Sequence, residues 1–283
     1  MIIWLASYPK SGNTWLRSIL SSLLYSKDGI FDFEHIYKIG QFPTRKYFEP
    51  FTKSYQDIHE LKKYWIPAQD LISLKNKVTF LKTHHINCKV DNYNFTNADN
   101  TLATIYIVRD PRNLVNSFTN HYSMDKDKAT RFLVHQTPTF ASGHMDVEEK
   151  DNNIFTLISC WKDHYVSWTR NNQKLLVIRY EDLSKDINKE ILRIVDFLKE
   201  FVKFDLNDKK IENIIKTTQF ENLKKLEEKD GFKESPRDKE GKLINKRFFY
   251  LGKENKWEKY LDEKNRMEIE TKLKDLMEEL KYL

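Results

Sequence analysis

The residues best suited to chemistry stand near the start of the chain, in a turn that can bind an anion. The apolar run over 2–6 predicts a short buried strand, and leucine and isoleucine recur at helical spacing after Gly12. The first N–H groups of a helix lack internal partners, so they bind phosphate or sulfonate groups. Lys10 adds a positive charge, and Ser11 and Thr14 add hydroxyl donors. Gly12 removes the side chain that would block a close approach.

The spacing of this turn does not fit the phosphate loop of nucleoside triphosphate enzymes. That loop needs a glycine, four residues and then Gly-Lys-Ser/Thr, whereas here Lys10 precedes Gly12 and the first glycine is missing. A metal-dependent nucleotide kinase remains an alternative only if its phosphate loop is degenerate. Asp110 and Asp182, at predicted strand ends, are its candidate metal ligands.

Composition indicates one large domain. The chain has 283 residues, of which 40% are hydrophobic. No apolar run approaches the length of a membrane span, and the first residues do not follow a signal-peptide pattern, so we expect a cytoplasmic protein. Cys88 and Cys160 are too few for a disulfide framework and lack metal-ligand spacing, so we expect no structural zinc.

The charge balance leaves the class of ligand open. A net charge of +6, from 48 basic and 42 acidic residues, is compatible with nucleic acid, an anionic membrane surface or a polyanionic small ligand. No recognised nucleic-acid motif is present, so we do not expect nucleic-acid binding. A non-catalytic protein that binds a nucleotide or nucleic acid remains the second alternative.

Alternating strands and helices predict an α/β fold with a parallel sheet. Further strands are predicted over 78–81, 103–108 and 175–178, and each runs into polar residues, which is where parallel sheets bind ligands. Helices are predicted after the Asp110 cap and over 154–168, 187–200, 207–216 and 262–281. The remaining segments are an aromatic-rich stretch over 27–66, a loop-rich excursion over 123–151 and a charged flap over 228–246.

The run Tyr8-Pro9-Lys10-Ser11-Gly12-Asn13-Thr14-Trp15 resembles the 5′-phosphosulfate loop of cytosolic-type sulfotransferases. These enzymes bind the sulfate donor 3′-phosphoadenosine 5′-phosphosulfate (PAPS). The resemblance implies a P-loop-like strand, loop and helix, with donor ligands at Lys10, Ser11, Gly12, Asn13, Thr14 and Trp15.

A second motif implies the catalytic base. Lys82-Thr83-His84 is similar to the Lys-Thr/Ser-His that ends a strand in this family, where the histidine is the general base. An imidazole suits that role because it titrates near working pH. His85 is a rival, since the doublet leaves the register open by one residue. By the same resemblance, Lys10 and Lys82 would stabilise charge in the transition state.

Other motifs imply where the nucleotide binds. The family binds the 3′-phosphate with an arginine at a strand end and a serine eight residues later, a spacing that Arg109 and Ser117 meet. Tyr-Glu-Asp-Leu, beginning at Tyr180, resembles the strand end whose tyrosine approaches the adenine. The resemblance also places Thr218 and Phe220 near the base, and Trp15 would give the other stacking face.

The last motif departs from the family pattern. Of the C-terminal signature Arg-Lys-Gly-x-x-Gly-Asp-Trp-Lys-Asn, only Gly252 and Trp257 hold register. The missing Arg-Lys pair normally faces the 3′-phosphate, and Arg247, Lys253 and Lys256 are candidate replacements. The family's dimerisation signature is also absent, so the oligomeric state is left open.

The resemblance covers nearly the whole chain. It implies that residues 1–283 form a single sulfotransferase domain that moves a sulfuryl group from PAPS to an organic acceptor. The acceptor group would be a hydroxyl, or an amine, of a small molecule or sugar. No metal is required, because the cations are side chains.

Overall fold

Five strands pair in parallel to form the central sheet of this protein. The fold is seen in a computed structural model that describes residues 1–74, 77–135, 154–170, 174–235 and 246–283. The strands in these ranges are β1 (Ile2–Ser7), β2 (Gly40–Gln41), β3 (Thr79–Thr83), β4 (Lys89–Val90), β5 (Tyr93–Asn94), β6 (Thr101–Val108) and β7 (Leu175–Arg179). The sheet order is β2-β3-β1-β6-β7, and β4 pairs with β5 in a separate antiparallel ribbon. The predicted α/β architecture with a parallel sheet is confirmed.

Helices cover both faces of the sheet. They are α1 (Asn13–Tyr25), α2 (Phe33–Ile36), α3 (Arg45–Phe48), α4 (Ile58–Leu61), α5 (Trp65–Ser73), α6 (Pro111–Tyr122), α7 (Lys126–Val134), α8 (Trp161–Thr169), α9 (Tyr180–Lys185), α10 (Ile187–Leu198), α11 (Asp208–Thr217), α12 (Phe220–Asp230), α13 (Trp257–Tyr260), α14 (Glu263–Lys272) and α15 (Lys274–Glu279). As predicted, α6 begins at Pro111, and the Asp110 side chain caps it by accepting from the Arg112 N–H at 2.9 Å.

The predicted helix over 154–168 begins only at Trp161. The residues before it bond to another segment, since Phe155 donates its N–H to the carbonyl of Tyr55 at 2.8 Å. Ile154 is nevertheless buried, so the apolar spacing there reports burial in an irregular segment and not helical structure.

Two other segments differ from expectation, and the flap is described only in part. The helix predicted over 262–281 is two helices, α14 and α15, because Leu273 between them leaves helical geometry (φ −110°, ψ 10°). The excursion over 123–151 contains α7, and its remainder over 136–151 lies outside the described residues. Most of the flap over 228–246 also lies outside them, in 236–245.

The sheet separates two apolar layers. Strand β1 is buried on both faces, with Leu5 packing toward α1, α10 and α11, and Trp4 toward α5, α8 and α14. Such two-sided burial is typical of a central parallel strand. The aromatic-rich segment contributes to this core, with Phe42 and Phe48 beside Trp4. Phe31 and Phe33 lie in a smaller cluster with Phe232.

Two histidines are fully buried next to the end of β3. His85 stacks on Phe95, with ring centroids 4.1 Å apart. His164 lies between the Tyr106 hydroxyl, 2.8 Å from its Nδ1, and the His84 carbonyl, 3.0 Å from its Nε2. Burial lowers the pKa of His85 and of His164 to about 3 in each case, so both rings are neutral near pH 7.

These two histidines predict acid-sensitive stability. Their pKa values are lower in the folded protein than the value of roughly 6.5 in the unfolded chain, so the unfolded chain takes up protons first as the pH falls. Their contribution to stability is complete above about pH 6.5 and is lost toward pH 3, at roughly 1.4 kcal/mol per pH unit for each ring. Urea unfolding between pH 7 and 4 measures this slope.

His85→Phe is the matched variant, because it keeps an aromatic ring on Phe95 and removes one titrating group. Its free energy of unfolding should fall less steeply with pH than that of the wild type. An unchanged slope would mean that His85 is already exposed to solvent in the folded protein.

Candidate active site

Neighbouring strands bring polar side chains to the face of the sheet that α1 covers. Side chains alternate along a strand. Leu5 packs in the α1 layer, so Ser7 at the end of β1 points to the same face. In β3, Phe80 packs in this layer, and the same alternation places Lys82 and then His84 on this face.

Strand β6 contributes Arg109 in the same way, two residues after Ile107, which packs in the α1 layer. Arg109, Lys82 and His84 line one cavity at the carboxyl ends of the strands, together with Lys10 from the turn after β1. The cavity therefore joins the predicted anion turn, the predicted base and the predicted phosphate ligand.

Gly12 is required by both its backbone and its surroundings. Its φ of +102° lies in the left-handed region, and a Cβ at this position would come 2.6 Å from the Tyr180 ring. Gly12 precedes α1 without a side-chain cap. Gly12, Asn13, Thr14 and Trp15 all line the cavity, so the first turn of α1 faces it.

Unpaired polar atoms in and beside the cavity fit a polar ligand. Trp15 Nε1, Arg109 Nε and His121 Nδ1 are buried without a hydrogen-bond partner among the described residues, and all three side chains line the cavity. Buried polar groups are normally paired, so unpaired polar atoms gathered at one site indicate a missing partner. Ser11 Oγ is likewise unpaired among the described residues, but Ser11 does not line the cavity.

His84 is held in the tautomer that a base needs. Its Nδ1 lies 2.8 Å from the Ser7 carbonyl oxygen. A carbonyl can only accept, so Nδ1 carries the hydrogen and Nε2 of the neutral ring carries the lone pair. His84 lines the cavity, whereas His85 packs on Phe95 away from it.

Asn13 ties the start of α1 to the same strand end. Its Nδ2 donates to the Leu5 carbonyl at 3.0 Å and to Ser7 Oγ at 3.1 Å. Because Ser7 also accepts from His84, the anion turn and the histidine share one anchor on β1.

An aromatic group stands beside Arg109. The guanidinium carbon lies 3.9 Å from the centroid of the Tyr180 ring, in a cation–π contact. Trp15 meets Tyr180 edge-on, with ring centroids 5.4 Å apart. Phe220 also lines the cavity, but Thr218 does not, since it is fully buried and its hydroxyl donates to the Ile214 carbonyl at 2.7 Å. The structure thus gathers the predicted adenine-binding rings and leaves Thr218 apart.

Ser117 is bonded to a residue that the sequence did not single out. Asn255 Nδ2 donates to Ser117 Oγ and to the Asn113 carbonyl, both at 3.0 Å, and Asn116 Nδ2 donates to Asn255 Oδ1 at 3.0 Å. Asn255 therefore holds the C-terminal motif against α6. Gly252 of this motif lines the cavity, and a Cβ on it would come 2.6 Å from the Phe220 ring.

No candidate replacement for the missing Arg-Lys pair lies on the described cavity wall. Arg247 pairs with Glu228 in a partly exposed ion pair, and neither Lys253 nor Lys256 lines the cavity. Tyr250 and Leu251 line it at the positions where the family has the pair. Among the described residues, Arg109 is the arginine of the wall.

Two titratable wall residues were missed in the sequence. His121 stands one helical turn after Ser117 in α6, a spacing that could have revealed it. Burial, aided by the charge of Lys10, lowers the pKa of His121 well below 6.5, so this ring is neutral near pH 7. Glu234 follows α12 and carried no recognisable signal. Its carboxylate accepts from Thr14 Oγ1 at 3.1 Å.

The described parts of the chain lack two kinds of site. These residues contain no group of three or more histidine, cysteine or acidic side chains that could hold a metal ion. None of their helices is long and apolar enough to cross a membrane. The described cavity wall has no residue from 27–66, so the aromatic side chains of that segment serve the core.

Comparison with known proteins gives consistent matches. A family model described as a sulfotransferase domain matches residues 2–281. The chain is 25% identical over 225 residues to an amine sulfotransferase of Oryctolagus cuniculus, an alignment that covers 78% of this chain and 62% of that protein. It is 24% identical over 264 residues to a flavonol 3-sulfotransferase of Flaveria bidentis, covering 91% and 76%. The chain thus spans less than two thirds of the length of the amine sulfotransferase.

A crystal structure of a mouse sulfotransferase complexed with PAP (3′,5′-adenosine bisphosphate) has a similar fold. The TM-score is 0.58 at 19% identity, over 97% of this chain and 83% of that chain.

Proposed function

The chain belongs to the sulfotransferase domain family, and from this premise we propose that it transfers a sulfuryl group from PAPS to a hydroxyl, or an amine, of an organic acceptor. The observation that carries the proposal is that His84, Lys10 and Lys82 line one cavity at the start of α1. The neutral His84 ring has its lone pair on Nε2. We also propose that residues 1–283 act as one domain, since β1 and α15 contribute to the same core.

Donor binding would use the ends of three strands. When bound, PAPS supplies the sulfuryl group. The N–H groups at the start of α1, with Lys10 and Thr14, would hold its phosphosulfate end. Arg109 and Ser117 would bind the 3′-phosphate, for which a guanidinium is well suited. Both line the cavity, which supports this assignment.

The adenine would lie among the aromatic residues. Trp15, Tyr180 and Phe220 line the cavity next to Arg109. A flat purine gains from such rings. Thr218 does not line the described cavity wall, and its hydroxyl donates to the Ile214 carbonyl, so it could meet the base only as an acceptor.

The chemistry follows from the tautomer of His84. Nε2 would take the proton of the acceptor group while Nδ1–H continues to donate to the Ser7 carbonyl. This hydrogen bond would stabilise the imidazolium that forms. Lys10 and Lys82 would balance the charge that develops on the transferred group and on the leaving oxygen. Positioning of the two reactants for in-line transfer supplies the rest.

The acceptor would bind between His84 and the last turn of α6. Asn120, His121 and Tyr122 line the cavity there, and Phe248 meets the His121 ring edge-on, with ring centroids 5.7 Å apart. This wall mixes polar and aromatic groups, which suits a small organic molecule with a reactive hydroxyl or amine. The names of the relatives, an amine and a flavonol 3-sulfotransferase, are consistent with either group.

The kinase alternative loses its proposed metal ligands. The Asp110 carboxylate binds the Arg112 guanidinium, with Oδ1 3.0 Å from Nε and Oδ2 2.7 Å from an amino nitrogen. Asp182 pairs with Arg179 at 3.5 Å and does not line the cavity. No observation in the described residues favours phosphoryl transfer over sulfuryl transfer.

The first prediction concerns the nucleotide. Calorimetry in EDTA should show that 3′,5′-adenosine bisphosphate (PAP) binds clearly more tightly than 5′-AMP, because only PAP has a 3′-phosphate for Arg109. Arg109→Ala should weaken PAP by about 10- to 100-fold, since a hydrogen bond to a charged group contributes roughly 1.5 to 3 kcal/mol. Equal affinity of the wild type for both nucleotides would remove the 3′-phosphate site.

The second prediction concerns the base. His84→Ala should lower turnover by roughly 10² to 10⁴-fold and leave PAP affinity nearly unchanged, because a general base acts in the transition state. His85→Phe is the control, since His85 lies in the core and does not line the cavity. It should keep both turnover and PAP affinity. Loss of turnover in His85→Phe with full activity in His84→Ala would reverse the assignment.

A further inference from the structure

A carboxylate of the chain itself lies at the predicted phosphosulfate end of the cavity. Glu234 is only 8% exposed and lines the cavity. Its Oε2 accepts from Thr14 Oγ1 at 3.1 Å and lies 3.7 Å from Lys82 Nζ. Its Oε1 pairs with the Arg17 guanidinium.

These partners are donors that an anionic ligand would use. Thr14 belongs to the anion turn, and Lys82 is the cation proposed to act on the transferred group. Carboxylate, phosphate and sulfate oxygens accept from the same hydroxyl, ammonium and guanidinium donors. The two carboxylate oxygens of Glu234 therefore show where this end of the cavity accommodates negative charge.

The ion pair between Arg17 and Glu234 is buried and does not lie on the surface. Arg17 lies in α1 three residues after Thr14, and its side chain is only 3% exposed. Arg17 does not itself line the cavity, but it contacts Glu234, which does, and it also donates to the Ile36 carbonyl at 3.5 Å. Lys82 is 2% exposed. Glu234 supplies negative charge to both buried cations, and an anionic ligand in its place would supply charge of the same sign.

The backbone on both sides of Glu234 is anchored. Phe232 stacks on Phe33, with ring centroids 4.6 Å apart. Ser235 Oγ donates to the Glu227 carboxylate at 2.6 Å. These contacts fix Phe232 and Ser235, so Glu234 lies in a short segment that is held at both ends.

We propose that Glu234 occupies the anion subsite of the ligand-free protein, and that the donor's 5′ end displaces it and takes Arg17 as a further ligand. This inference rests on the proposed function. It makes Glu234 an internal competitor of the donor, and it makes Arg17 a donor-binding residue beyond those of the recognised motifs. The exchange keeps the buried cations paired in both states.

The test compares two nucleotides in two variants by calorimetry. Glu234→Gln keeps the size of the side chain and removes the competing charge, so PAP should bind about tenfold more tightly, the gain expected when a binding-competent state rises from about a tenth to full population. Adenosine 3′-monophosphate lacks the 5′-phosphate that meets Glu234, so its affinity should not change. Its binding also shows that the variant is folded.

Glu228→Gln is the matched control, because it removes a charge from the neighbouring α12 at a residue that pairs with Arg247 and does not line the cavity. It should leave both affinities unchanged. Adding Arg17→Met to Glu234→Gln should weaken PAP relative to Glu234→Gln alone and spare adenosine 3′-monophosphate. Unchanged PAP affinity on adding Arg17→Met would refute the role of Arg17.

Equal or weaker PAP binding by Glu234→Gln, with adenosine 3′-monophosphate bound normally, would overturn the competitor role and leave the proposed function intact. Failure of the wild type to bind either nucleotide would instead overturn the proposed function. In that case the affinity for inorganic pyrophosphate tests the anion subsite separately. Tighter binding of pyrophosphate by Glu234→Gln than by the wild type would support the subsite, and equal binding would refute it.

Discussion

The parallel pairing of β1 with β3 and β6 is the constraint on which the site depends. Ala6 lies opposite Thr83 and Tyr106, so the three strands end at the same edge of the sheet. Strand alternation then decides which polar residues share the face of α1. It assigns His84 to the cavity and His85 to the core. The same pairing brings the Ser7 carbonyl to His84 Nδ1, and this contact fixes the tautomer with the lone pair on Nε2, the atom that we propose as the base.

Charge balance is the second requirement of the site. Lys82 and Arg17 are nearly inaccessible to solvent, yet both are cations, and Glu234 lies between them. A buried cation needs a buried partner. In our account the protein supplies that partner from its own chain until a phosphosulfate group arrives. In the same account, the rings around Arg109 would orient the adenine end of the donor.

The sequence predicted features that depend on local pattern. The strand β1, the anion turn at Gly12 and the cap at Asp110 all follow from residues adjacent in the chain. The roles of Glu234 and Asn255 could not be predicted, because each acts through partners more than 100 residues away. Apolar periodicity gave a wrong helix start before Trp161, because buried residues of an irregular segment there happen to recur at helical spacing. The two-residue strand β2 is too short to leave any periodic signal.

The most direct test of the central claim is transfer of labelled sulfate from PAPS to a panel of phenols, alcohols, amines and sugars, measured in EDTA. The account predicts a labelled sulfate ester or sulfamate with the wild type and at least a hundredfold less with His84→Ala, in line with the loss of about 10² or more expected for a general base. Sulfate transfer that survives His84→Ala unchanged would contradict it. So would the absence of any labelled product from PAPS when a parallel assay with ATP and Mg²⁺ shows phosphoryl transfer.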